Sequence, residues 1–115
     1  LRAGRKQSHW IWFIFPQIAG LGHSEISRAF AISARAEAAA YLEHPILGSR
    51  LRECTNLVNR IEGRTATQIF GSPDDLKFRS SMTLFAAATS DNAIFEAALR
   101  KYFNGIGDPL TLQRL

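Results

Sequence analysis

The sequence predicts an all-α fold, a compact single-domain bundle of about five to six helices with short loops. The 115 residues are enough for one hydrophobic core and rarely form two, so we expect one domain over residues 1–115. Hydrophobic residues make up 46% of the chain and charged residues 21%, as in globular proteins. Apolar residues recur at helical spacing between clear helix caps, and one segment alone has the propensity of a strand.

That strand-like segment is the aromatic run at residues 10–15, which we do not expect to form a sheet. A lone strand leaves its backbone N–H and C=O groups without partners, and the sequence offers no second strand. The run therefore predicts a short helix or a buried irregular segment that ends at Pro16. It is also the longest apolar stretch, at six residues, whereas a membrane-spanning helix needs about 18–20. No membrane association is predicted.

Capping residues mark the first helices. Ser24 is predicted to cap a short turn, and Ser33 to cap an alanine-rich helix that ends near Glu43. His44 and Pro45 end that helix and begin the next, with Pro45 at the first helical position. In the next helix, steps of four and three separate the apolar residues of one face, which are Leu47, Leu51, Cys54, Val58 and Ile61.

The middle of the chain has two further helix starts. Thr65 and Gln68 have the spacing of a capping box and predict a single helical turn. Ser72 and Pro73 supply an N-cap and a first residue for the most strongly marked helix. We expect that helix to continue to about Ala88.

Two helices are predicted at the end of the chain. Asp91 is the expected N-cap of the first, which closes at Asn104 and the glycine after it. Asp108 and Pro109 begin the last helix in the same way, as an N-cap followed by a proline at the first helical position.

The net charge of +4 and the pI of about 9.8 by themselves suggest a nucleic-acid partner. Three of these charges come from Arg2, Arg5 and Lys6, whereas the charges of the remaining eleven basic residues are nearly balanced by those of the ten acidic ones. The body of the chain is therefore nearly neutral. Nucleic-acid binding rests on the pI alone and is not favoured.

Known metal, cofactor and catalytic motifs are absent from the sequence. The three histidines, His9, His23 and His44, are separated by spacings that match no zinc pattern, and no third glycine completes a dinucleotide motif. We predict neither a metal nor a cofactor. The single cysteine, Cys54, cannot form an internal disulfide, so we expect a reducing, cytoplasmic location.

The first candidate site lies between residues 4 and 17, where basic, hydroxyl, imidazole and indole side chains occur together. This combination suits an anionic or nucleotide-like ligand, because Arg and Lys bind phosphate oxygens and an indole stacks on a flat ring. Alternatively, the aromatic residues are core and the basic ones are solvated. The candidate ligand-binding residues are Arg5, Lys6, Ser8, Trp10, Trp12 and Gln17, with His9 as a candidate catalytic acid–base.

The second candidate site is the start of the helix predicted after Pro73. Asp75 and Arg79 are four residues apart and can pair along one face, and Asp75 is a candidate catalytic partner for His9. Buried hydroxyls would need partners, so they either bond within the core or line a pocket. The candidate ligand-binding residues here are Lys77, Arg79, Ser80 and Ser81.

Several strings together resemble a small bacterial family called domain of unknown function 1810, some of whose members carry the label calpastatin. The strings are Gly-Arg-Lys at 4–6, Ser-His-Trp at 8–10, Trp-Phe-Ile-Phe-Pro-Gln at 12–17 and Arg-Ser-Ser-Met-Thr-Leu-Phe at 79–85. The likeness covers essentially the whole chain and implies a mainly helical domain with no established activity. Family members usually begin with a further helical stretch, so we expect one in the full-length protein. Calpain inhibitors of that name are long and disordered, so we reject the label.

Two functions remain open at this point. The first is a site for a phosphate-bearing or nucleotide-like small molecule, with or without catalysis, built from both candidate regions. The second is a non-enzymatic structural or protein-interaction module, in which the polar groups form an internal hydrogen-bond network. The sequence defines no protein partner.

Overall fold

The computed structural model describes residues 15–17, 32 and 34–115. These ranges contain no β-strand, and the all-α prediction is confirmed. The turn predicted at Ser24 and most of the aromatic run lie outside the described residues. The N-cap predicted at Ser33 is wrong by one residue, because Ala34 holds that position before Arg35. The helices in the described ranges are α1 (Arg35–Glu43), α2 (Leu47–Arg60), α3 (Ala66–Phe70), α4 (Asp74–Ala88), α5 (Ala93–Phe103) and α6 (Pro109–Gln113).

Three of the predicted caps are confirmed. The Thr65 hydroxyl accepts from the Gln68 N–H while the Gln68 side chain accepts from the Thr65 N–H, which closes the capping box of α3. The Asp108 carboxylate accepts from the Thr111 N–H at the start of α6. Asn104 ends α5 in the left-handed conformation, with φ of 56°.

The predicted start of α2 at Pro45 is wrong by two residues. The helix begins at Leu47 because the His44 imidazole acts as the cap: its Nδ1 accepts from the N–H groups of Ile46 and Leu47, at 3.2 and 3.1 Å. The His44 N–H also donates to the carbonyls of the last turn of α1. One histidine therefore caps the end of one helix and the start of the next.

Two other helix starts are displaced by one residue. Pro73 occupies the N-cap position of α4 rather than its first position. Asn92, not Asp91, precedes α5, and its side-chain amide donates to the Ala86 carbonyl at 2.9 Å. Asp91 instead lies 3.8 Å from Arg52 of α2. Contacts to other helices, which local sequence does not encode, accompany the shifted start of α5.

Helix α4 is the centre of the fold, because it packs against α1, α3, α5 and α6. Its Phe78 and Phe85 are fully buried, and Phe85 packs against Phe95 of α5 with ring centroids 5.9 Å apart. Phe15 meets Phe78 edge-on at 4.9 Å. Residues 15–17 therefore lie against α4, which brings the end of the first candidate region to the helix that holds the second.

Helices α1 and α2 approach closely at Gly48. A side-chain carbon at this position would overlap the backbone carbonyl of Leu42, so only glycine fits. At the far end of α2, the Tyr102 hydroxyl of α5 donates to the carbonyls of Val58, in the last turn, and of Ile61, the C-cap. These contacts tie α2 to both neighbouring helices.

Candidate functional site

Two polar clusters divide the surface of α4, and the first joins it to α6. Arg79 donates from Nε to the Ile106 carbonyl and from Nη2 to the Gly107 carbonyl, both at 3.0 Å. Its guanidinium also lies 5.8 Å from the centre of the Phe103 ring. Arg79 thus holds the loop that precedes α6. We call this region, residues 79–83 with 106–111, the α4–α6 junction.

Hydroxyl groups complete the junction around one carboxylate. Asp108 Oδ2 accepts from the Ser80 hydroxyl at 3.1 Å, the Thr111 hydroxyl at 2.6 Å and the Thr111 N–H at 3.0 Å. The Thr83 hydroxyl donates to the Arg79 carbonyl and accepts from the Asp108 N–H. The candidate ligand-binding groups Arg79 and Ser80 therefore have protein partners.

Asp75 is also engaged by the protein. Its Oδ2 accepts from the Thr67 hydroxyl at 2.6 Å and its Oδ1 from the Leu76 N–H at 2.9 Å. The expected pairing of Asp75 with Arg79 is wrong, because Arg79 binds backbone carbonyls and Asp75 binds α3. Asp75 secures the start of α4 to the preceding helix.

The second cluster lies on another face of α4 and contains Asp74, Lys77 and Ser81; we call it the α4 stripe. Spacings of three and four residues place these side chains on one side of the helix. Lys77 Nζ lies 3.2 Å from Asp74 Oδ1, and the side chains are 24% and 7% exposed. The pair is therefore largely removed from water, where both charges depend on their protein partners.

Ser81 is the unusual member of the α4 stripe. It is fully buried, and its hydroxyl finds no hydrogen-bond partner among the residues that the structure describes. A buried hydroxyl without a partner costs about 1–3 kcal/mol. The neighbouring Ser80 is also buried but donates to both the Leu76 carbonyl and Asp108. Adjacent serines thus differ in whether their hydrogen bonds are satisfied.

The structure places Gln17 of the first candidate region in the buried part of the molecule. Its carbonyl accepts from the Ile32 N–H at 2.7 Å, and it follows Phe15, which packs on α4. The other candidate residues of this region lie outside the described residues, and their roles stay predictions. They are Arg5, Lys6, Ser8, His9, Trp10 and Trp12.

Asp74 is a member of the α4 stripe that lies outside the predicted site. The sequence has two acids in the first turn of α4, and of these only Asp75 has the spacing of four residues to Arg79. The structure instead puts Asp74 on the face of Lys77 and Ser81. The spacing of three to Lys77 and seven to Ser81 carries the same information as the spacing that was used, so helical geometry alone could have found it.

Outside the two clusters, three titratable groups on α1, α2 and α5 have raised pKa values. Burial raises the pKa of Tyr102, and the nearby Glu62 carboxylate raises it further. Burial likewise raises the pKa of Tyr41 and of the Cys54 thiol. A raised thiol pKa disfavours the thiolate, so Cys54 is a poor nucleophile at neutral pH.

The described ranges hold no group of three or more His, Cys, Asp or Glu residues with the geometry of a metal site. Over the same ranges, no helix combines the length and apolar character that spanning a membrane requires. The α4 stripe brings together one carboxylate, one ammonium group and one hydroxyl. Such a set binds and orients polar groups.

Comparisons with known proteins agree with this architecture. A family model described as protein of unknown function (DUF1810) matches residues 1–115. The chain is 55% identical to the conserved hypothetical protein Rv1873 from Mycobacterium tuberculosis, whose crystal structure superposes with a TM-score of 0.98. The match covers 99% of this chain and 81% of that protein. No curated protein matches the chain.

Proposed function

The chain belongs to the DUF1810 family of proteins of unknown function, and we propose that it is a binding domain for a phosphate-bearing or nucleotide-like small molecule. The observation that carries the proposal is the Ser81 hydroxyl, which is buried without a partner among the described residues, on the helix face of a buried ion pair. Unsatisfied buried polar groups are rare in folded proteins, and departures of this kind are expected at functional or strained sites.

Residues that precede or pack on α4 support the same proposal. Phe15 and Gln17 come from the region whose sequence suits an anionic or nucleotide-like ligand, and Phe15 packs directly on α4. The ion pair, held at 3.2 Å with little exposure, fixes one carboxylate and one ammonium group on the helix face of Ser81. Rigid polar groups on a packed helix are what specific recognition requires.

Catalysis is a further step of this proposal. His9 would act as the acid–base and Asp75 as its partner, with Arg5 and Lys6 holding the phosphate. The Asp75 oxygens already accept from Thr67 and Leu76. As a partner of His9, Asp75 would have to keep these two hydrogen bonds or give one of them up. Binding is therefore the part of the proposal that the α4 stripe supports directly.

A thermal-shift screen on the whole chain tests the proposal. The panel contains nucleotides, NAD-derived compounds, sugar phosphates and inorganic anions. A ligand present at 100 times its Kd stabilises the folded state by about 2.7 kcal/mol, which raises Tm by on the order of 10 °C in a domain of this size. Silence across the panel would contradict a small-molecule site of this class.

Two lysines provide a matched pair of variants for any compound that binds. Lys77 and Lys101 each lie 3.2 Å from a carboxylate, but the partner of Lys77 is buried Asp74 and the partner of Lys101 is exposed Glu62. We expect Lys77→Gln to lose the thermal shift and Lys101→Gln to keep it. Equal loss in both variants, or none in Lys77→Gln, would place the ligand away from the α4 stripe. Asp74→Asn combined with Lys77→Gln serves if the single variant does not fold.

The alternative function is a non-enzymatic structural or protein-interaction module, and one observation favours it. Four large apolar side chains at or next to the α4–α6 junction are more than half exposed: Leu76, Ile106, Leu110 and Leu112. Clustered exposed apolar residues are typical of protein contact surfaces. A silent ligand screen together with a protein partner that requires Leu110 would favour this alternative.

A further inference from the structure

The charge balance of the α4 stripe determines which part of a ligand it can accept. Asp74 and Lys77 compensate each other at 3.2 Å. The other two charges in the first turns of α4 are also engaged, since Asp75 accepts from Thr67 and Arg79 donates to two carbonyls. Among the residues that the structure describes, these four carry two negative and two positive charges, which balance one another at the start of α4.

A phosphate is therefore a poor occupant of this face. It would bring one or two negative charges close to the Asp74 carboxylate, which is only 7% exposed. Burying an additional charge without its own counter-charge is strongly unfavourable, because the lost hydration is not replaced. The group that meets Ser81 should instead be polar and uncharged.

The Ser81 hydroxyl can act as a hydrogen-bond donor or as an acceptor toward such a group. A hydroxyl supplies one donor and two acceptor lone pairs, so it can bond a sugar hydroxyl, an amide or a ring nitrogen. Resting on the proposed function, we infer that the α4 stripe takes the sugar or base end of the nucleotide-like ligand and that the phosphate lies away from α4. Arg5 and Lys6 lie outside the described residues, and holding the phosphate stays their predicted role.

Calorimetric titration with matched compounds tests this placement. The probes are the common ribonucleosides, their 5′-monophosphates and inorganic phosphate, each titrated into the whole chain, the Ser81→Ala variant and a control. Ser49→Ala is the control, because Ser49 is an exposed serine on α2. We expect Ser81→Ala to raise the Kd of a nucleoside and of its monophosphate by the same factor. The loss of one buried hydrogen bond corresponds to about five- to tenfold. Ser49→Ala should change neither value.

The outcomes separate this inference from the proposed function. A nucleoside or monophosphate that binds the wild type and the Ser81→Ala variant equally well would overturn the placement and leave the binding function standing. Two other results would also overturn the placement and leave the binding function standing. In the first, Ser81→Ala weakens the binding of inorganic phosphate. In the second, sugar phosphates or anions bind while no nucleoside or monophosphate does. If no compound of either panel binds, both the function and the placement fail. Ser81→Cys, with its weaker hydrogen bond, replaces Ser81→Ala if that variant does not fold.

Discussion

The α4–α6 junction and the α4 stripe use similar side chains on one helix with opposite results. At the junction, every hydroxyl of Ser80, Thr83 and Thr111 has a partner, and one carboxylate oxygen accepts three hydrogen bonds. On the stripe, the Ser81 hydroxyl is buried without a partner among the described residues. The comparison separates polar groups that stabilise the fold from one that costs stability.

The difference matters because burial alone does not distinguish the two serines. Ser80 is 6% exposed and Ser81 is fully buried, and they are neighbours in the sequence. A step of one residue turns the side chain by about 100° around the helix, so they face different surroundings. Function is therefore better sought where a buried polar group lacks a partner than where polar residues are merely numerous.

The largest expected effect comes from removing the carboxylate at the centre of the junction. Asp108→Ala leaves Ser80 and Thr111 without their shared acceptor, and we expect the free energy of unfolding to fall by about 2–4 kcal/mol. Urea unfolding measures it. Asp91→Ala is the matched control, because that side chain is 86% exposed and its ion pair is long, at 3.8 Å. The control should change stability by less than about 0.5 kcal/mol. Equal effects in both variants would mean that the junction does not stabilise the fold.

Replacing the two adjacent serines tests the comparison directly. The two changes in stability should be smaller than that of Asp108→Ala and should differ from each other in sign or size. Ser80→Ala should lower the free energy of unfolding by about 1 kcal/mol, because it removes a donor to Asp108. Ser81→Ala should leave the free energy of unfolding unchanged or raise it by up to about 1 kcal/mol, because it removes an unsatisfied hydroxyl. Alanine favours a helix equally at both positions, so that contribution cancels. A marked loss of stability in Ser81→Ala would show that Ser81 has a partner in solution.

An effect no larger than that of Ser80→Ala concerns Tyr102, a satisfied polar group away from α4. Burial raises its pKa, so the neutral hydroxyl contributes stability that is complete below the unfolded pKa of about 10 and is lost as the pH rises through the folded pKa. We expect Tyr102→Phe to lower stability by about 1 kcal/mol at neutral pH through the lost hydrogen bonds to α2.

Urea unfolding of both proteins from pH 8 to 11 checks this sign. The difference between wild type and Tyr102→Phe should shrink above a pH of about 10. Some alkaline sensitivity should remain in the variant, because burial also raises the pKa of Tyr41. A difference that grows with pH would contradict the assignment.

Features encoded by neighbouring residues could be predicted from the sequence. The capping box of α3, the Asp108 cap and the left-handed Asn104 each depend on residues within a few positions of one another. The helix starts at Pro45, Ser72 and Asp91 were misplaced by one or two residues. At Pro45 a histidine side chain, and at Asp91 contacts to other helices, accompany the shifted boundary.

The candidate site was less predictable, for a physical reason. Local spacing shows which side chains share a helix face but not what covers that face. Asp75 and Arg79 have the spacing of an ion pair, yet α3 and the loop before α6 provide better partners for each. Likewise, nothing local distinguishes Ser80 from Ser81, because their partners come from residues far along the chain or are absent from the described ranges.

The double capping by His44 has a consequence for how α1 and α2 open to solvent. Its N–H closes the last turn of α1 while its imidazole closes the first turn of α2. An opening that displaces the His44 backbone frees the Ile46 and Leu47 amides and also releases the end of α1. In amide hydrogen exchange, the two helix ends should therefore exchange together as one cooperative unit rather than fray separately.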